Sequence, residues 1–88
     1  MCAVAGTLIL TAAGTASGAE GVLVINGTEH ENPTGCVEVH EQPARFHMIN
    51  DTDSLAVVYV DAGCNGEITA EVDPATDAGV YGSSVRME

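Results

Sequence analysis

Positive charge is scarce in this chain. Lys and Arg total 2, against 13 Asp and Glu, so the formal net charge is -11 at pH 7. Nucleic-acid binding needs several cations to neutralise phosphates, and attraction to anionic membrane surfaces needs them as well. With only Arg45 and Arg86 available, both classes of partner are excluded. At 88 residues, the chain is also too short for more than one domain.

Charge of either sign is missing from residues 1–19. An apolar run over residues 2–13 is followed by small residues that end in Ser17-Gly18-Ala19. This pattern is typical of a secretory signal peptide, although no basic residue precedes the run. A bilayer span needs roughly 20 apolar residues, more than this run contains. We expect residues 1–19 to be a signal peptide, truncated at its start, and residues 20–88 to be the mature domain. A buried first segment of the domain is the alternative.

Removal of residues 1–19, which contain Cys2, would leave two cysteines, Cys36 and Cys64. An even count in an exported chain indicates a disulfide. Closing such a loop stabilises a fold by about 3.5 kcal/mol on the chain-entropy estimate, which matters where the core is small. A metal-binding thiolate pair is the alternative, but the close Cys-x-x-Cys spacing of zinc sites is absent. We predict a Cys36–Cys64 bridge in a secreted protein.

Short β-branched segments separated by Gly, Pro, Asn and Asp predict an all-β domain, because no stretch keeps a helical period for three turns. The predicted strands are 21–26, 36–40, 45–49, 55–60, 67–72 and 80–87, with a turn at Asn26-Gly27. The segment 55–60 is apolar on both faces and is expected to be a central strand.

Two features of this strand pattern predict specific contacts. Strands 36–40 and 45–49 are expected to form a hairpin with Glu38 opposite His47, and with Phe46 and Met48 on the inner face. In strand 67–72, alternation predicts an inward face made of Ile68, Ala70 and Val72. The longest loop is expected at 73–79.

Residues 59–66 read Tyr-Val-Asp-Ala-Gly-Cys-Asn-Gly. They resemble the corner of the βγ-crystallin Greek key, in which an aromatic residue is followed by a second bulky residue and a Gly. Ser83-Ser84 looks like the serine-bearing end of that motif, and 30–36 like a degenerate first copy of the corner. The resemblance implies a positive-φ corner at Gly66 and a serine hydroxyl that ties the loop backbone down. It implies a small disulfide-bonded Greek-key β-sandwich; another small β-sandwich or barrel is the alternative.

Calcium is the cofactor that this resemblance implies. Crystallin-like calcium sites resemble an Asn/Asp pair, two variable residues and a Ser/Thr-Ser pair. The segment 50–54 supplies part of this pattern through Asn50, Asp51, Asp53 and Ser54, but Leu55 replaces the last serine. Calcium takes roughly six to eight oxygen ligands, more than this loop offers. An ordinary polar loop is the alternative.

Three histidines, His30, His40 and His47, lie among several glutamates. Histidines on adjacent strands can ligate zinc or copper. Their spacing follows no recognised pattern, so a solvated surface is the alternative.

Catalysis has little support in the sequence. Ser83 and Ser84 lack the glycine pattern of a nucleophile elbow, and both mature cysteines are expected to be oxidised. Paired carboxylates are expected by chance in a protein this acidic, and so small a domain can hardly enclose a water-excluding pocket. We therefore expect no enzymatic activity.

Similar crystallin-like proteins imply a protein-binding role: inhibition of a secreted peptidase, or antimicrobial activity like that of killer toxins. In the first case the presented loop would contain Asp73, Pro74, Thr76 and Asp77, with the loop at 29–35 as the second candidate. The rival expectation is a calcium-responsive structural protein. Repulsion between the many negative charges favours a monomer. We also expect no membrane association once residues 1–19 are removed.

Overall fold

The computed structural model describes residues 18–88; most of the predicted signal peptide lies outside this range. Within it the chain is all-β, as predicted, and contains no helix long and apolar enough to cross a membrane. The strands are β1 (Gly21–Ile25), β2 (Thr28–Glu31), β3 (Cys36–Glu38), β4 (Ala44–Thr52), β5 (Ala56–Asp61), β6 (Asn65–Val72), β7 (Thr76–Gly82) and β8 (Ser84–Met87).

The strands form two four-stranded antiparallel sheets. The first sheet has the order β2-β1-β4-β7, and the second has the order β3-β8-β5-β6. The first half of the chain holds β1–β4 and the second half holds β5–β8. The order β2-β1-β4 of the first half recurs in the second half as β6-β5-β8. Each half then contributes its third strand, β3 or β7, to the sheet of the other half. The two halves of the chain therefore repeat one strand order and exchange one strand.

Aliphatic side chains from both sheets fill the space between them. Phe46 and Met48 of β4 point inward as predicted, and they meet Val58 of β5 and Val85 and Met87 of β8 in one cluster. The first half of strand β5, Ala56–Val58, is buried, as expected for a central strand. The two packed sheets and the single disulfide within residues 18–88 confirm the prediction of a small disulfide-bonded β-sandwich.

The predicted hairpin between strands 36–40 and 45–49 is wrong. β3 pairs with β8 in the second sheet, so Glu38 lies opposite Ser84 and not opposite His47. The backbone N–H groups of Val39 and His40 both donate to the carbonyl of Ser83, at 2.8 and 3.0 Å. These bonds keep the chain beside the start of β8 before it crosses to the first sheet as β4.

The predicted last strand, 80–87, is two strands in different sheets. β7 ends at Gly82 and β8 begins at Ser84, so the chain changes sheets at Ser83. A side chain at Gly82 would bring its Cβ within 2.5 Å of the Tyr59 carbonyl oxygen, so only glycine fits this close crossing.

Two predicted loops are shorter than expected, because part of each is strand. The loop predicted at 73–79 is reduced to three residues, since Thr76 and Asp77 already belong to β7. Strand β2, at Thr28–Glu31, was not predicted, and it includes part of the loop at 29–35. Residues 30–36, predicted as a first copy of the corner, therefore run from the end of β2 through a connection at 32–35 to the start of β3. In the repeated strand order, the β5–β6 hairpin, which contains the 59–66 corner, corresponds to the β1–β2 hairpin with its tight turn at Asn26-Gly27. That turn was predicted correctly: φ is 49° at Asn26 and 84° at Gly27.

Ile68 does not point inward as predicted. Val58 pairs with Ala70, but the next residue, Tyr59, pairs with Ile68, so Thr69 is an extra residue in a β-bulge. The shift moves Ile68 to the outer face, where 54 % of it is exposed. Val72, beyond the bulge, is buried as predicted.

Candidate functional site

The connection between β5 and β6 folds over β8 and is tied down by a serine. Ser84 is fully buried, and its hydroxyl donates to the Asp61 carbonyl at 2.6 Å and accepts from the Cys64 N–H at 2.8 Å. Gly66 has a φ of 82°, which the resemblance predicted for this corner. Of the two serines singled out in the sequence, Ser84 is therefore the one that holds the corner.

The predicted disulfide fixes the same corner from a second side. Cys36 of β3 and Cys64 are bonded, with their Cα atoms 5.9 Å apart. Next to the bridge, the Glu38 carboxylate accepts the Gly63 N–H at 2.9 and 3.1 Å. Strand β3 belongs to the first half of the chain and the corner to the second half. The bridge therefore adds a covalent cross-link between the two halves.

The predicted calcium residues divide between the core and the surface. Asn50 is fully buried in β4, and its amide donates to the carbonyls of Ser54 and Val72, both at 2.9 Å. Its oxygen accepts the Thr52 hydroxyl at 2.6 Å. Asp51 points to the opposite face, because side chains alternate along a strand. Asn50 thus connects β4 to the loop before β5 and to the last residue of β6.

Asp53, also predicted as a calcium ligand, ties the first described residues to the loop after β4. Its carboxylate accepts the Glu20 N–H at 2.9 Å and the Ser54 hydroxyl at 3.1 Å. The hydrogen bond from Glu20, followed by that from Ser54, lowers the pKa of Asp53 below its ordinary value, and weak desolvation opposes the change.

The three histidines are not brought together. His30 lies in β2, His40 packs edge-on against Phe46 with ring centroids 5.8 Å apart, and His47 is exposed on β4. Among residues 18–88, no three His, Cys, Asp or Glu side chains lie close enough together to hold a metal. The described surface also has no pocket.

The predicted binding residues form a short turn and the start of β7. Pro74 and Ala75 are exposed, and Ala75 has a φ of 64°. The Ala75 N–H donates to the Asn50 carbonyl at 2.7 Å, and the Thr76 hydroxyl donates to the Asp73 carbonyl at 2.5 Å. The turn is therefore fixed to β4 beside the buried Asn50, while Asp77 lies on the outer face of the first sheet.

The outer face of the first sheet carries an apolar stripe between two acidic borders. One row across the sheet reads Glu29, Val24, Ile49, Asp77, and the next reads Glu31, Val22, Asp51. We call these seven residues the acid-bordered face. Ile49 is 40 % exposed, and both valines are half-buried. His47 Nε2 lies 3.8 Å from Asp77 Oδ2 at one end of the face.

No protein-family model, curated protein or solved structure matches this chain. Three features of residues 18–88 could carry a function: the serine-tied corner, the turn at 73–75 and the acid-bordered face.

Sequence reasoning did not find the acid-bordered face. Alternation along each strand identified outward residues such as Arg45 and His47 correctly. Which outward residues become neighbours depends on strand order, and β2 was not predicted at all. The signal present in the sequence was the Asn26-Gly27 turn, because such a dipeptide joins two strands and so predicts a strand directly after it, at Thr28.

Proposed function

We propose that this chain is an exported, non-enzymatic protein-binding module with a crystallin-like Greek-key fold. Three features support the fold proposal: the strand order repeated in both halves, the exchange of the third strands, and the corner held by Ser84. Export is supported by the Cys36–Cys64 bridge, since such bonds persist in oxidising compartments, and by the leader-like head.

The single observation that carries a binding role is the fixed turn at residues 73–75. It is exposed, yet its backbone is bonded to β4 through Ala75 and Asn50 at 2.7 Å. A segment already held in one conformation loses little entropy when a partner binds it. This is the property that a peptidase inhibitor needs in the segment it presents. Inhibition of a secreted peptidase by Asp73, Pro74, Thr76 and Asp77 is therefore the favoured form of the function, and antimicrobial activity is the second.

A panel of extracellular peptidases tests this proposal. We expect at least one of them to be slowed at a stoichiometric concentration of the full chain. Pro74→Gly, which frees the turn, should weaken that inhibition, whereas Gln42→Ala in the exposed loop before β4 should leave it unchanged. A uniformly negative panel would count against inhibition, and a growth assay on competing bacteria would then test the antimicrobial form.

The calcium-responsive structural role stays a prediction. Asp53 and Ser54 remain its surface oxygen donors, while Asn50 uses its amide within the fold. Calorimetry with calcium tests it: heat and a raised melting temperature would support the role, and no heat at millimolar calcium would reject it.

A further inference from the structure

The acid-bordered face has two properties of a docking surface. Its centre is apolar and accessible, with Ile49 of β4 40 % exposed opposite Val24 of β1, and Val22 and Val24 both half-buried. Its borders are carboxylates on both sides: Glu29 and Glu31 come from β2, Asp51 from β4 and Asp77 from β7. We propose that this face docks a cationic protein segment whose apolar side chains lie between Lys or Arg residues. The inference rests on the proposed role as a protein-binding module and names the chemistry of the partner.

The register makes the pattern regular. Val24 and Ile49 are directly opposed across β1 and β4, and the same row ends in Glu29 at one side and Asp77 at the other. A segment lying along β1 and β4 would place apolar side chains over the valines and Ile49. Its flanking cations would then reach carboxylates on either border, which gives both burial and charge complementarity.

Charge selects among possible occupants. A second copy of this chain would bring its own carboxylates against these borders, which is repulsive in a protein of net charge -11. Nucleic acid and anionic membranes are repelled for the same reason. A free metal ion would leave the apolar centre unused. A basic segment with apolar side chains satisfies both parts of the face.

The ends of the face differ in charge, which gives the partner a direction. Beyond Ile49 along β4 come His47 and then Arg45, which is paired with Tyr81 of β7, a residue 47 % exposed. Toward the other end the outward residue of β4 is Asp51. The cations of the partner should therefore lie nearer Asp51, Glu31 and Glu29 than Arg45.

The probe is a synthetic ten-residue peptide of alternating Lys and Val, titrated into the full chain by calorimetry at low salt. A Lys-Ser peptide of the same length and charge is its control. We expect the Lys-Val peptide to bind about tenfold tighter or more, since only it can bury apolar surface on the stripe.

Two matched pairs of variants locate the binding. Ile49→Ser should weaken binding about five- to tenfold, and Ile68→Ser, at an isoleucine on the second sheet that is even more exposed, should not. The double variant Glu29→Gln with Glu31→Gln, on the β2 border, should weaken it about three- to tenfold at low salt and less as salt is added. Glu67→Gln with Glu71→Gln on β6 removes the same charge elsewhere and should have a smaller effect.

Three results would overturn the proposal: no binding of the Lys-Val peptide, equal binding of the Lys-Ser peptide, or equal losses in the two variants of either pair. The last two would indicate adsorption to the overall negative charge. None of these three results bears on peptidase inhibition, because Pro74→Gly tests the turn at 73–75 and Ile49→Ser tests the acid-bordered face. Suppose that the Ile49→Ser variant still inhibits a peptidase but the Lys-Val peptide does not bind. The chain would then still be a protein-binding module, but the acid-bordered face would not be its docking surface.

Discussion

Ser83 and Ser84 are adjacent and both fully buried, but their hydroxyls differ in what they bond. The Ser84 hydroxyl makes two hydrogen bonds in the corner, whereas the Ser83 hydroxyl has no partner among residues 18–88. Ser84→Ala leaves the Asp61 carbonyl and the Cys64 N–H without this partner and should cost about 1–3 kcal/mol. Ser83→Ala removes an unsatisfied group and should be neutral or slightly stabilising. Urea unfolding of both variants measures the difference, and equal costs would contradict the role of Ser84.

Asp53 gives the stability a dependence on acid. Its pKa is lowered in the folded protein by the hydrogen bonds from Glu20 and Ser54, so its charged form stabilises the fold above the ordinary Asp pKa. That contribution is lost as the pH falls below about 4 and through the lowered folded pKa. Asp53→Asn should therefore be less stable than the parent at neutral pH, with the gap closing in acid.

Melting curves between neutral and strongly acidic pH test this dependence. Asp51→Asn is the matched control, because the Asp51 side chain makes no hydrogen bond within residues 18–88. A gap for Asp53→Asn that stays constant with pH would show that its charge is not involved.

At the scale of elements, the bulge in β6 determines which residues face the solvent. Its extra residue, Thr69, donates its hydroxyl to the Tyr81 carbonyl at 2.5 Å and to the Val58 carbonyl at 3.4 Å. It thereby links the bulge to β7 of the other sheet. Thr69→Val keeps the shape of the side chain and removes these bonds, so we expect a loss of about 1 kcal/mol.

Chemical denaturation compares Thr69→Val with Thr28→Val. Thr28 is exposed in β2, and its hydroxyl makes no hydrogen bond within the described residues. Similar unfolding midpoints for the two variants would show that the Thr69 hydroxyl does not stabilise the bulge.

The same bulge shows where prediction from sequence stops. Alternation located several of the strands, though not β2, and it located the core positions of β4, because Phe46 and Met48 obey a strict period of two. It failed at Ile68, since one inserted residue reverses the faces and leaves no local mark in the sequence. It also failed at β3, whose partner β8 is distant in sequence. The disulfide was predictable because an even number of cysteines in an exported chain indicates a bridge. The corner at Gly66 and its serine were expected from the resemblance of residues 59–66 to a known corner motif.

At the scale of the whole molecule, the folded domain reaches into the segment assigned to the leader. The Ala19 N–H donates to the Pro33 carbonyl at 3.0 Å, and Ala19 is only 8 % exposed. The Ser54 hydroxyl donates to the Gly18 carbonyl at 3.3 Å. Gly18 and Ala19 therefore contribute contacts to the sandwich, and the predicted processing point after Ala19 stays a prediction.

Every proposed surface depends on a small, strongly acidic sandwich staying folded. Self-repulsion at a net charge of -11 opposes the compact state, and one bridge with a sequence separation of 28 joins the two halves. Opening it should cost about 3.5 kcal/mol. In a domain of this size, that corresponds to a fall in Tm of roughly 15–25 °C.

The most direct measurement is the thermal unfolding of the full chain with and without reductant, beside the Cys36→Ser, Cys64→Ser double variant. We predict that the reduced protein and the variant melt at the same, much lower temperature than the oxidised protein. An unchanged Tm on reduction, with the loss of the bridge verified by mass, would contradict a fold held together by the Cys36–Cys64 disulfide.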